Sequence, residues 1–321
     1  MIKNTWVVVP ALNEADNLVV VVPRILSELV MLGGEGHVLV VDDGSTDKTR
    51  EVMDDLADRH EAVEVISLGR NLGKASALRR GFERALAEDA DVVVMMDADG
   101  QDDPAELPLL LARLEDGADL VTGARTVRHD RFIKRHTSKL YNATTARLSG
   151  TPGRDFNSGF KVMRADVARH VSPMLYGELH RYLTVVAHWL GFRVAEVSVQ
   201  HHERLHGRTK YGLARFWRGF VDLVTVRFLM SYESRPSHLF SGIGLVSLAL
   251  GGLALAYLLV ERVSGAAVGG RPLLIAGVVL ALGGLQLVLF GLLAELHVYS
   301  RQPSTPQSQH QPCRSSKVTG A

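Results

Sequence analysis

Asp97 and Asp99 stand two residues apart, directly after the apolar run Val92–Met96. At the end of a strand, residues at this spacing project to one side. Paired carboxylates of this kind suit Mg²⁺ or Mn²⁺, hard cations that prefer oxygen and share their sites with substrate phosphates. Gln101 offers a third oxygen. The same residues also read as a solvated acidic turn. In that reading Asp102 and Asp103 are helix-start acids ahead of Pro104. His202-Glu203-Arg204-Leu205-His206 matches the zinc-protease pattern. That pattern needs a helix and a third ligand, whereas this segment follows a strand pattern and is broken by Gly207. Gly69–Lys74 approaches a phosphate-binding loop, but three residues separate its glycines and Ala75 follows Lys74. The Walker pattern needs four, then Ser or Thr. Gly33-Gly34-Glu35-Gly36 precedes a strand pattern instead of following one, which excludes a dinucleotide fingerprint.

Chemistry of this kind needs elements to aim it. Trp6–Val9, His37–Val41, Val63–Leu68, Val92–Met96, Leu120–Thr122 and Phe192–Val199 read as short strands. Helical patterns at Glu14–Met31, Lys48–Arg59, Lys74–Glu88 and Pro104–Asp116 separate them. Such alternation predicts an α/β fold, a mostly parallel sheet covered on both faces. Ligands then bind beyond the carboxyl ends of the strands. Polar or glycine residues follow each of the first five strands, so they gather on one rim.

The chain has 321 residues, a net charge of +1 and a mean hydropathy of +0.09. This balance argues against a nucleic-acid binder. The average hides an uneven distribution. The 56 residues Leu239–Ala294 hold three charges, Glu261, Arg262 and Arg271, and the other 68 of 71 lie elsewhere. Leu239–Val260 and Pro272–Ala294 are 22 and 23 residues without a charge. About 20 helical residues cross a bilayer, so a transmembrane hairpin is expected, with both chain ends on one side. Arg215, Arg218, Arg227, Arg235 and Arg301 flank it. They favour a cytoplasmic catalytic domain and cytoplasmic termini. No signal-peptide core follows Lys3, and one cysteine, Cys313, excludes an intrachain disulfide. Tyr211–Tyr232 reads as an amphipathic helix lying in the interface, or as a core-facing helix of the soluble domain. Glycines seven apart (Gly244 and Gly251; Gly277, Gly284 and Gly291) suit close packing within the hairpin or a homo-oligomer. The expected layout is a catalytic domain over 1–210, an interfacial helix over 211–237, a hairpin over 238–299 and a disordered tail over 300–321.

Taken together, the rim segments resemble a known family. Pro10-Ala11-Leu12-Asn13-Glu14, Asp42-Asp43-Gly44-Ser45-Thr46-Asp47 and Asp97-Ala98-Asp99-Gly100-Gln101 look like the signals of a family 2 glycosyltransferase with the GT-A fold. Asp155-Phe156-Asn157-Ser158-Gly159-Phe160-Lys161 is similar to that family's Asp-x-x-Ser-Gly-Phe-Arg segment, with Lys161 where Arg is usual. Arg204–Tyr211 is similar to its Arg-x-x-Gly-x-Ser-Lys-Tyr loop, with Thr209 for Ser. With two C-terminal spans, the chain most resembles the polyprenyl-phosphate glycosyltransferases, which include the dolichyl-phosphate mannose synthases.

The resemblance implies inverting transfer of a sugar from a UDP- or GDP-linked donor to a membrane polyprenyl phosphate. It implies donor binding by Pro10, Asn13, Glu14, Asp42, Asp43, Lys74, Asp97 and Arg125. Asp97, Asp99 and Gln101 would hold Mg²⁺ or Mn²⁺. Arg204 and Lys210 would close over the phosphates, and Lys134, Arg135 and Ser138 would take the acceptor phosphate. Asp155 is the family's candidate base. A phosphate monoester is mostly a dianion at pH 7, so Asp155 is expected to orient a substrate instead. A processive polysaccharide synthase is the nearest rival, but the Gln-x-x-Arg-Trp it typically carries is absent. A non-catalytic membrane scaffold is the rival from another class.

Overall fold

The computed structural model describes residues 2–125, 145–147, 149–153, 155–202 and 237–301. The chain divides into two compact units, Met1–Met230 and Ser231–Ala321.

The first unit begins with three βα repeats: β1 (Asn4–Ala11), α1 (Ala15–Leu32), β2 (Glu35–Asp42), α2 (Thr49–Arg59), β3 (Val63–Ser67) and α3 (Lys74–Ala87). β4 (Val92–Met95), α4 (Leu107–Glu115), β5 (Leu120–Arg125), β6 (Lys161–Arg164), α5 (Ala165–Val171), α6 (Leu183–Trp189) and β7 (Val194–Val199) follow. The strands form one seven-stranded sheet in the order β3-β2-β1-β4-β6-β5-β7. β6 runs antiparallel to both β4 and β5, and every other pairing is parallel.

The strand sequences explain the layering. On β1, Trp6 and Val8 pack with Leu78 and Phe82 of α3. Val7 and Val9, one residue out of phase, pack with Leu18, Val22 and Ile25 of α1. A strand covered on both faces reads as a continuous apolar run, as β1, β2 and β4 do. Each of the six expected strands is present, and so are the four helices expected between the first five of them, within a few residues at their ends. β6 was not foreseen. Only four residues long, it starts at Lys161, beside Met95 of β4 and Thr122 of β5. Because it runs backwards, its first residue lies level with the carboxyl ends of its neighbours. The segment Asp155–Phe160 therefore feeds directly into the rim.

In the second unit, α7 (Ser237–Val263) and α8 (Pro272–Arg301) are both long and apolar enough to cross a membrane. They are apolar all round, with Leu253 and Ile275 each about two-thirds exposed (68 % and 67 %). Helices of that kind belong in lipid or a large core. The glycine stripes meet inside the hairpin. A Cβ on Gly244 would lie 2.7 Å from the Gly284 carbonyl oxygen, and one on Gly251 2.5 Å from the Ala281 nitrogen. The close approach shows the stripes packing the hairpin. An ion pair between Arg271 and Glu261 at 3.3 Å spans the turn. The expected interfacial helix and the C-terminal tail beyond Arg301 lie outside the described residues.

Candidate active site

The rim is built from five loops, beginning after β1. Asn13 sits in the left-handed region (φ 58°), which asparagine tolerates better than most residues. Its side-chain oxygen accepts from the Thr46 amide at 2.8 Å, and its own amide donates to the Ser45 hydroxyl at 2.9 Å. The Glu14 amide donates to the Thr49 hydroxyl at 3.0 Å. The first and second loops are thereby locked together, and Pro10, the residue before last in β1, stands beside them.

Asp42 ends β2 and Asp43 follows it, and both are buried. Asp42 accepts from the Ser45 amide (2.8 Å) and the Ser67 hydroxyl (3.1 Å). Asp43 accepts from the Leu72 amide (2.7 Å) and the Gly73 amide (2.9 Å). Burial raises the Asp43 carboxyl pKa, and the two amides oppose that shift. Asp43 thus fixes the Gly69–Gly73 turn. Gly44 packs against that turn so closely that a Cβ would lie 2.3 Å from the Arg70 carbonyl carbon.

The turn delivers Lys74, the first residue of α3, to Asp97, and the two form an ion pair. Burial works to raise the Asp97 pKa. The Lys74 charge and hydrogen bond, with the Lys161 charge, outweigh it and hold the carboxyl below its ordinary range. Asp99 is buried, and one of its carboxylate oxygens accepts from the Gln101 amide at 3.1 Å. Among the described residues no three His, Cys, Asp or Glu side chains gather as a metal cage. Two carboxylates with an amide neighbour match a cation site that substrate oxygens complete.

From the antiparallel side comes Asp155, nearly buried. Arg125, the last residue of β5, grips it in two parallel hydrogen bonds, Nε to Oδ2 at 2.6 Å and Nη2 to Oδ1 at 2.8 Å. Burial tends to lower the Arg125 pKa, but this pairing raises it overall. The Asp155 amide donates to Glu196 of β7 at 2.7 Å. Gly159 lies against Asp97, where a Cβ would come within 2.6 Å of the carboxyl carbon. Lys161 is fully buried, and its ammonium donates to the carbonyls of Phe156 (3.2 Å) and Ser158. Burial pushes its pKa down to about 8.

Sequence reasoning missed His180. It lies in a short 3₁₀ turn (Leu179–Tyr182), largely buried, with Nδ1 lacking a hydrogen-bond partner. Burial first, then the Lys74 and Arg181 charges, lower its pKa to about 3, so the ring is neutral. No spacing rule marks a histidine in a 3₁₀ turn. The acidic turn also has partners that were not foreseen. His202 bonds Asp103 through Nε2 at 2.9 Å, and its amide donates to the Gln101 carbonyl at 2.9 Å. Arg24 pairs with the other Asp103 oxygen at 3.0 Å. His201 forms a β-bridge with Asp102. These contacts place His202 beside the acidic turn, and Glu203–His206 lie outside the described residues. So do Lys134, Arg135, Ser138, Arg204 and Lys210.

A carboxylate pair at the carboxyl edge of a mostly parallel sheet, with one reversed strand, matches a GT-A nucleotide-sugar transferase architecture. A family model described as glycosyl transferase family 2 matches residues 6–172, and the chain belongs to that family. It is 34 % identical over 310 residues to the dodecaprenyl-phosphate galacturonate synthase of Rhizobium johnstonii, covering 93 % of this chain and 89 % of that one. It is 32 % identical over 261 residues to the undecaprenyl-phosphate 4-deoxy-4-formamido-L-arabinose transferase of Pectobacterium carotovorum, covering 81 % and 76 %. Among solved structures, a Pyrobaculum calidifontis mannosyltransferase in complex with GDP-Man and Mn²⁺ superposes with a TM-score of 0.53 at 17 % identity, covering 95 % and 77 %. The glucosyl-3-phosphoglycerate synthase of Mycobacterium tuberculosis, with Mn²⁺, UDP and phosphoglyceric acid, gives 0.53 at 21 %, covering 70 % and 78 %. At such identities these structures speak for the fold.

Proposed function

We propose that this family 2 glycosyltransferase moves a sugar from a nucleotide-sugar donor to a polyprenyl phosphate at a membrane, inverting the anomeric centre. One observation carries the reading. The likeness to the Rhizobium galacturonate synthase runs over 93 % of the chain, too much to leave out the apolar hairpin. The shared part therefore includes both the rim that suits a charged donor and the helices that suit a lipid.

The donor's nucleoside is assigned to Pro10, Asn13, Glu14, Asp42 and Asp43 on the family resemblance. Asp97 and Asp99, with Gln101 beside them, would hold Mg²⁺ or Mn²⁺. The fit rests on oxygen donors alone, with Asp97 kept ionised and about a third exposed (32 %). When bound, such a cation offsets charge on the departing nucleoside diphosphate. Lys74 and Arg125 add positive charge near the same place, which is most effective where water is excluded.

The acceptor needs little activation. Its phosphate has a second pKa near 6 and is mostly dianionic at pH 7. Asp155, held by both oxygens of its carboxylate, is suited to orienting and poorly suited to taking a proton. Lys134, Arg135 and Ser138 are assigned to the acceptor phosphate, and Arg204 and Lys210 to the phosphates of the donor complex, on the family resemblance. The two apolar helices make this a membrane protein in the proposal, with its catalytic unit and both termini cytoplasmic.

Nucleoside diphosphate release tests the reaction class. Full-length protein in detergent, with Mn²⁺ and a panel of UDP- and GDP-sugars, should release diphosphate with one donor only when a prenyl phosphate is added. Release that ignores the lipid would point to hydrolysis or another acceptor.

A further inference from the structure

Lys74 joins the two halves of the donor site. Its backbone is fixed from one side: Asp43 takes the amides of Leu72 and Gly73, the two residues before it. Its ammonium is committed on the other side to an oxygen of Asp97. Both partner side chains keep about a third of their surface exposed (32 % each). The ammonium can therefore leave Asp97 by side-chain rotation alone, with no movement of α3.

The pairing creates a competition. If Asp97 is a ligand to a divalent cation, as the proposed function holds, an ammonium and that cation claim the same carboxylate and repel each other. A donor diphosphate resolves the conflict, because it offers the ammonium new oxygens of the same charge. We propose that Lys74 is a displaceable counter-ion of Asp97, weakening cation binding to the free protein and moving to the diphosphate when cation and donor arrive together. The inference rests on the proposed cation role of Asp97 and Asp99. Its consequence is positive coupling: each ligand strengthens the other, by the same factor in both directions.

Mn²⁺ binding reads this directly, without turnover. Free Mn²⁺ would be followed by electron paramagnetic resonance during titration of the full-length protein in detergent, alone and with UDP or GDP. Wild type, K74M, K74Q and K74R would be compared, each checked for a wild-type circular dichroism spectrum. The neutral variants should bind Mn²⁺ alone at least tenfold more tightly than wild type, and K74R should resemble wild type. The nucleotide should then tighten Mn²⁺ binding at least tenfold more in wild type than in the neutral variants. K74M and K74Q serve as alternates should either fail to fold. Equal Mn²⁺ affinity in wild type and a folded neutral variant would overturn the counter-ion role and leave the proposed reaction standing. K74R binding as tightly as the neutral variants would also overturn it. Absence of Mn²⁺ binding to wild type even with UDP or GDP would overturn the cation site itself.

Discussion

Arg125 and Asp155 face each other as a fork and its mate, with two nitrogens on two oxygens at 2.6 and 2.8 Å. The pair joins the end of β5 to the segment that feeds β6, across 30 residues of sequence. Bidentate pairing of this type is strong and directional. It holds both carboxylate oxygens of Asp155, which suits the orienting role proposed for it. The variant Asp155→Asn keeps the size of the side chain but weakens the grip. Hydrogen bonds to charged groups contribute about 1.5–3 kcal/mol, so turnover should fall roughly 10- to 100-fold. Complete loss of turnover with both substrates still bound would restore a base role.

Gly159 allows Asp97 its position. A methyl group there would enter within 2.6 Å of the Asp97 carboxyl carbon, so the carboxylate must shift. Gly159→Ala should cost about 1–3 kcal/mol in thermal or denaturant unfolding, as overpacking usually does. It should also raise the Mn²⁺ requirement of the reaction. An unchanged metal dependence would separate Gly159 from the cation site.

Neighbouring glycines in α8 give a controlled comparison. A Cβ on Gly284 would lie 2.5 Å from the Leu248 nitrogen, whereas one on Gly283 meets nothing within 4 Å. Gly284→Leu should lower the unfolding temperature of the protein in detergent, with a loss of about 1–3 kcal/mol. Gly283→Leu should stay within about 0.5 kcal/mol of wild type. Equal effects would mean that the stripe does not pack the hairpin.

His180 makes the fold sensitive to acid. Its pKa is about 3 in the folded protein against an ordinary 6.5. Between those values the unfolded chain binds the extra proton, so stability falls as pH drops through 6.5 and rises again toward neutrality. The His180 contribution at pH 5 is a loss of about 2 kcal/mol relative to pH well above 6.5. His180→Gln should flatten the acid side of a stability-against-pH curve measured by denaturant unfolding. An identical slope in both proteins would contradict a buried neutral ring.

Much of the fold is legible in the sequence. β1, β2 and β4 are apolar on both faces, so their runs stand out, and the polar residues after them mark the rim. Asp97 and Asp99 stood out by their spacing, which suited a solvated acidic turn as well as a cation site. What stayed hidden depends on long-range contacts. β6 is four residues long, and its antiparallel direction leaves no periodic trace. Lys161 is charged yet fully buried, against the usual pattern for lysine, because two carbonyls and the nearby carboxylates receive it. His202 looked like half of a zinc motif and is instead bonded to Asp103 and Gln101. Glu196, on a β7 that is only partly buried, gave no sign that it would hold the Asp155 amide.

The most direct test of the central claim is the mass of the lipid product. Full-length protein would be incubated with a prenyl phosphate, Mn²⁺ or Mg²⁺ and a panel of UDP- and GDP-sugars, and the lipid fraction analysed by mass spectrometry. The account predicts prenyl phosphate heavier by one sugar residue from at least one donor, and none with Asp99→Ala. No sugar-bearing lipid from any donor, or undiminished product from Asp99→Ala, would contradict it.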